Sequence, residues 1–171
     1  MSSSNKPHYE ADPDEVKYEK ENNRWTFNPR GFSIIWGKDK RYWNLPEENH
    51  PEKPAELVQV SWLELTGKTK EALPVGKYEI KFEVSLEQGA FGWNNCPVFM
   101  MAKIGKTGKY KWIKINIADL GPDKKLVPPD FQIEVDRGSE DRKLYFGLYE
   151  VWSGKWKGGL RIHKATVQKV S

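Results

Sequence analysis

Lys77-Tyr78-Glu79-Ile80-Lys81-Phe82-Glu83-Val84-Ser85-Leu86 decides the fold class. Tyr78, Ile80, Phe82, Val84 and Leu86 occupy every second position, with Glu79, Lys81, Glu83 and Ser85 between them. Side chains alternate faces along an extended chain, so this spacing predicts a strand with one face on a core and the other in water. Phe131-Gln132-Ile133-Glu134-Val135 repeats the pattern, and Trp112–Ile117 sets Ile113, Ile115 and Ile117 inward against Trp112, Lys114 and Asn116 outward. Leu57–Leu65, Pro97–Ile104, Lys143–Val151 and Leu160–Val170 are apolar enough for strands, and several lack a clean polar face, as strands covered on both sides do. Pro74-Val75-Gly76, Gly105-Lys106-Thr107-Gly108, Gly121-Pro122-Asp123 and Arg137-Gly138-Ser139 punctuate them as turns. No segment sustains a 3.6-residue period. The expectation is an all-β chain: an antiparallel β-sandwich of jelly-roll type, with about eight strands in two sheets.

The 171 residues carry 28 basic and 24 acidic side chains, a net charge of +4, and eight Trp. One domain is expected at this length. Charges are mixed in sign, so the small Lys excess permits weak attraction to RNA or anionic surfaces without requiring it. Cys96 stands alone, which rules out an internal disulfide and suits a reducing compartment. No apolar signal segment follows Met1-Ser2-Ser3-Ser4-Asn5-Lys6, and no run nears the ~20 residues that span a bilayer. A cytoplasmic or nucleocytoplasmic protein without membrane insertion is therefore expected. Residues 1–24, where Asp12, Asp14, Glu15, Glu19 and Glu21 interleave with Lys17, Lys20 and Arg24, read as a flexible polar leader to a folded domain over residues 25–171.

Few motifs carry chemistry. Gly105-Lys106-Thr107 and Gly67-Lys68-Thr69 lack the earlier Gly of a phosphate loop, since Met100 and Trp62 hold that place. His8, His50 and His163 have no metal spacing, and no cofactor motif is present. A glycosidase needs two carboxyls held ~5–10 Å apart, and nothing singles out a pair, so binding without catalysis is the expectation. Lys103, Lys106, Lys109, Lys111 and Lys114 interleave with Tyr110 and Trp112, a pattern shared by RNA-stacking surfaces and by solvated strands. A structural or adaptor role is a third reading.

The indoles point more clearly. In Ser33-Ile34-Ile35-Trp36-Gly37-Lys38-Asp39-Lys40-Arg41-Tyr42-Trp43 a short apolar strand runs into a turn with two Trp and one Tyr among charges. Flat rings beside hydrogen-bonding groups suit sugars, whose C–H faces stack while their hydroxyls take polar partners. Trp152 and Trp156 flank a second loop, Ser153-Gly154-Lys155. Loops carry binding residues and Trp is usually buried, so these four are candidates for ligand contact or for packing. Trp62 reads as core.

With those residues in hand, the chain resembles the phloem protein 2, or Nictaba-like, plant lectins. The likeness lies in Ser33–Gly37 with Arg41-Tyr42-Trp43, in Ala55–Lys68, in Pro97-Val98-Phe99, in Leu148-Tyr149-Glu150 and in Trp156–Leu160. The resemblance implies a β-sandwich that binds N-acetylglucosamine oligomers and the chitobiose core of N-glycans, in the nucleocytoplasm or phloem sap. It implies sugar contacts at Trp36 and Trp43 and at an acid matching Glu150, while a second family acid falls near Lys143, of opposite charge. The resulting site comprises Trp36, Asp39, Tyr42, Trp43, Glu150, Trp156 and Lys157. Weak single-site affinity would gain avidity from a homodimer or from several sites. RNA is the alternative partner.

Overall fold

The computed structural model describes residues 7–171, and two antiparallel sheets account for nearly all of their regular structure. In chain order the strands are β1 (Val16–Glu19), β2 (Arg24–Phe27), β3 (Ser33–Ile34), β4 (Trp43–Asn44), β5 (Ala55–Leu57) and β6 (Leu63–Lys68). Then come β7 (Gly76–Phe91), β8 (Val98–Ile104), β9 (Lys111–Ile115), β10 (Lys125–Val127), β11 (Gln132–Val135), β12 (Leu144–Glu150) and β13 (Gly158–Lys169). One sheet is ordered β3-β6-β12-β8-β9. The other runs β1-β2-β13-β5-β4, with β7 pairing β13, β10 and β11. The expected sandwich is present. Its strand count exceeds the expectation because several strands are only two to four residues long, below what periodicity can register.

β7 behaves as its alternation predicts. Tyr78, Ile80, Phe82 and Val84 are sealed in the core, and Glu79, Lys81 and Glu83 sit on the outer face. Ser85 is the exception. It is buried on the polar side because β13 lies alongside and the His163 ring nitrogen Nε2 sits 2.8 Å from its hydroxyl. Between the sheets Phe27 and Phe82 from one meet Phe146 from the other, at centroid separations of 4.9 and 5.6 Å. Phe32 stacks at 5.5 Å on Phe27 and 5.7 Å on Phe82. Offset and edge contacts of this kind add about 0.5–1.5 kcal/mol each beyond the area they bury.

Three expectations need correction. The continuous strand expected over Leu57–Leu65 is broken at Val58–Trp62, where the chain crosses from β5 in one sheet to β6 in the other and must leave both ladders. Trp62, read as core, consequently stands on the surface with its indole N–H donating to Glu64 at 3.0 Å.

The flexible leader does not describe residues 7–24. Tyr9 exchanges two 2.9 Å backbone hydrogen bonds with Ile34, and its buried hydroxyl donates to the Arg30 carbonyl. β1 pairs residue for residue with β2, from Val16 against Phe27 to Glu19 against Arg24. Tyr18 stacks on the fully buried Trp25 at 4.4 Å. The alternation Val16-Lys17-Tyr18-Glu19 carried this strand, hidden by the charges around it. Residues 1–6 of the expected leader lie outside the described residues.

Candidate functional site

After β3 the chain folds back through hydrogen bonds from Gly37 N–H to Ile34, from Asp39 N–H to Trp36, and from Tyr42 and Trp43 N–H to Asp39. Gly37 is required here, because a Cβ would fall 2.7 Å from the Tyr9 Cβ. Trp36 adopts φ 66°, a left-handed conformation that costs a bulky side chain about 1–2 kcal/mol. Local contacts hold it there. Its N–H donates to His8 Nδ1 at 3.0 Å, and the imidazole meets the indole edge-on at 5.5 Å. Backbone strain of this kind gathers at functional sites. Trp36→Gly is therefore expected to leave thermal stability unchanged or raised, relief of strain offsetting the lost ring contacts, while removing the indole from the surface. A melt of the variant beside the unaltered chain checks this.

The strained turn presents a row of rings. Trp36 lies edge-to-face on Tyr42 at 5.4 Å, and Tyr42 faces Trp156, from the β12–β13 loop, at 6.1 Å and 31° between planes. Trp36 is 36% exposed and Trp156 51%, with Tyr42 half-buried between them. Asp39 and Arg41 border the row. The Arg41 guanidinium rides 5.1 Å above the Tyr42 ring and grips Asp39 through Nε at 3.0 Å and Nη2 at 2.7 Å. Those side-chain hydrogen bonds, with one from the Arg41 backbone N–H, hold the Asp39 carboxyl below its usual range. Four of the expected residues, Trp36, Asp39, Tyr42 and Trp156, thus stand together at the surface.

Trp43 does not join them. It is 1% exposed, because β4 pairs with β5 and turns this indole into the core. Glu150 and Lys157 are likewise displaced from the expected role, at 3% and 0% exposure. The Lys157 ammonium donates to Glu150 Oε1 at 2.7 Å, to the Ser61 carbonyl at 3.0 Å and to the Lys155 carbonyl at 3.0 Å, which uses all three of its N–H groups. Glu150 also accepts from the Ser153 hydroxyl at 2.7 Å and from its N–H at 3.2 Å. Burial pushes the Glu150 carboxyl up, and the bonds from Lys157 and Ser153 outweigh burial, so its pKa lies below the ordinary value. The pair is a clasp inside the loop that carries Trp152 and Trp156, with no face turned to solvent.

Lys143 is remote from the ring row. It precedes β12 while Glu150 ends it, and seven residues of extended chain at ~3.3 Å each separate the two by about 23 Å. Its charge has no bearing on the row. Trp152 and Trp112, 60% and 55% exposed, both rest on Phe99 on the outer face of the five-stranded sheet, at 5.0 and 5.4 Å. Among the nearby lysines, the Lys111 ammonium donates to the Gln132 carbonyl and Lys103 to the Lys106 carbonyl. Sequence reasoning missed His8 and Ser153, which brace Trp36 and Glu150: His8 reaches Trp36 across 28 residues, and Ser153, only three residues from Glu150, meets a carboxylate whose burial the local sequence does not reveal.

The family model described as Phloem protein 2 matches residues 22–168. Protein PHLOEM PROTEIN 2-LIKE A9 of Arabidopsis thaliana is 44% identical over 185 residues, covering 99% of this chain and 100% of that one. A lectin of Luffa acutangula is 33% identical over 104 residues, 58% of this chain and 49% of its own. Among solved structures, a carbohydrate-binding module in complex with β-1,4-galactotriose aligns with a TM-score of 0.41 at 15% identity, over 81% of this chain and 87% of its own.

Proposed function

The chain belongs to the phloem protein 2 family, and from that premise we propose that it is a non-catalytic lectin for N-acetylglucosamine oligomers and the chitobiose core of N-glycans. The observation that carries this reading is the exposed row Trp36–Tyr42–Trp156. Its outer rings, Trp36 and Trp156, are open to solvent and flank Tyr42 at centroid separations of 5.4 and 6.1 Å. The name of the Luffa relative and the resemblance of the turn motif to sugar-binding members of the family support the same ligand class.

Trp36 and Trp156, the two exposed rings, each cover an apolar sugar face and contribute about 1–2 kcal/mol at ~25 cal/mol per Å² of buried apolar surface, while Tyr42, covered by Arg41, holds the row together. Asp39 and Arg41 act as one unit beside the stack. The guanidinium, with most of its surface in water, donates to hydroxyl or acetamido oxygens. Asp39 retains lone pairs beyond those taken by Arg41 and accepts from an acetamido N–H or a hydroxyl. A few such contacts correspond to micromolar to millimolar affinity. Nucleocytoplasmic residence goes with this reading.

Titration calorimetry with chitotriose at high micromolar protein tests the proposal. Binding heat is expected for the unaltered chain. Trp156→Ala should weaken the affinity about tenfold or more, the worth of one stacked ring. Trp152→Ala, which strips a ring outside the row, should leave it unchanged. No heat from the unaltered chain, or equal losses from both variants, overturns the assignment.

A further inference from the structure

The outer face of the five-stranded sheet carries rings that take no part in the row of Trp36, Tyr42 and Trp156. Phe99 and Met101 point outward from β8, since Val98, Met100 and Ala102 are sealed in the core. The β12–β8 register sets Tyr149 beside Phe99, and the β8–β9 register sets Lys114 beside Phe99 and Trp112 beside Met101. Trp112 therefore lies beyond Phe99 in one direction along the strands. Trp152, just past the end of β12, lies beyond it in the other. Both indoles meet Phe99 steeply, at 63° and 75° between planes, so Phe99 forms a floor between two upright and well-exposed walls.

The polar groups around this floor are donors. The indole N–H of Trp62 is taken by Glu64, whereas those of Trp112 and Trp152 meet no acceptor among the described residues. The Lys114 ammonium rides 6.0 Å from the Phe99 centroid, and no carboxylate pairs with it among the described residues. A complementary partner is rich in acceptors, poor in donors, apolar between them and negative at one point. A proline-rich chain has this chemistry. Proline carries no N–H, the carbonyls of a polyproline II helix have no internal partners, and pyrrolidine C–H groups pack on the negative face of an indole.

We propose that this face docks an acidic, proline-rich segment of a partner protein in the polyproline II conformation. At 5.0 and 5.4 Å from one ring, the two indoles are at most about 10 Å apart, and one turn of that helix, three residues at ~3.1 Å each, covers ~9 Å. Prolines three residues apart then pack on Trp112 and Trp152 over Phe99. Carbonyls of the segment accept from the two indole N–H groups, and an acidic side chain meets Lys114. Aromatic-lined grooves recognise such segments because the helix is formed before it binds. A sugar suits the face less well, since its hydroxyls also donate and the Glu64 carboxylate is already engaged by Trp62. A nucleic-acid strand needs a run of available ammonium groups, yet those of Lys103 and Lys111 are directed to carbonyls of the chain. The β12–β13 loop serves both surfaces, giving Trp156 to the ring row and Trp152 to this face.

Fluorescence anisotropy of a labelled peptide, two aspartates followed by about ten prolines, tests the proposal. The unaltered chain should bind it with a dissociation constant of roughly ten to several hundred micromolar. Trp112→Ala and Trp152→Ala should each weaken binding about tenfold or more, and Trp156→Ala should leave it unchanged. Lys114→Glu, at an exposed site, should also weaken it, most strongly at low salt, and supplies a variant independent of the rings. A control peptide with glycine at alternate prolines keeps the charge, loses the preformed helix and should bind at least about tenfold more weakly. Circular dichroism melts report whether each variant is folded. No binding by the unaltered chain, equal binding of the control peptide, or indifference to both indole variants would overturn the assignment. Displacement of the peptide by chitotriose or poly-uridine would give the face to that ligand and overturn it equally.

Discussion

Lys157→Met is expected to lower the folding free energy by about 3–5 kcal/mol, the cost of leaving a buried carboxylate without its partner. Glu150 would keep only the Ser153 bonds, and the carbonyls of Ser61 and Lys155 would lose their donor as well. Methionine matches the length of the lysine stem, so the loss reports the ammonium and not a cavity. Urea unfolding should record it as a lower midpoint at an unchanged slope. Adding Glu150→Met should recover part of the loss, since an apolar pair no longer strands a charge, though the two carbonyls still go unanswered. Acid should act in the same direction. Glu150 has a folded pKa below its ordinary value of 4.5, so its contribution is complete above that value and is lost as pH falls through the lower folded one. Trp156 sits one residue before Lys157 and Trp152 one before Ser153, so the same loss should loosen both loop rings.

The sandwich was legible because β7, β9 and β11 each have a wet face, which turns burial into alternation. Where a strand is short or changes sheets, as at Val58–Trp62, nothing in the period marks the crossing. The clustering of Trp36, Asp39, Tyr42 and Arg41 was legible too, since they lie within one turn and local sequence places them together. The remainder depended on which way single side chains face. Trp43 follows Tyr42 directly, and adjacent residues in extended chain point to opposite sides, so one of the two rings had to turn inward. The register of β4 on β5 makes that choice, and composition cannot. Glu150 and Lys157 look like ordinary surface charges until folding brings them within 2.7 Å inside the loop.

Trp43→Ala should cost a further 3–5 kcal/mol or thereabouts, the usual range for deleting a large buried ring, and should register as lost stability before it registers as lost affinity. The family resemblance of the turn motif implies sugar contact for the indoles at positions 36 and 43 together, whereas one is exposed and the other buried. Alanine alone cannot separate these tasks, because the collapse around a cavity would also shift Tyr42 and with it the row. Trp43→Phe separates them by keeping most of the core volume while removing the indole. Calorimetry with chitotriose should then give an affinity close to that of the unaltered chain, with a urea midpoint only moderately reduced. The reverse pattern, intact stability with binding abolished by Trp43→Phe, would mean that this indole reaches the sugar. That outcome requires β4 to open from β5 on binding, which amide exchange at Val58, whose N–H donates to the Tyr42 carbonyl at 2.8 Å, would detect as faster exchange with ligand present.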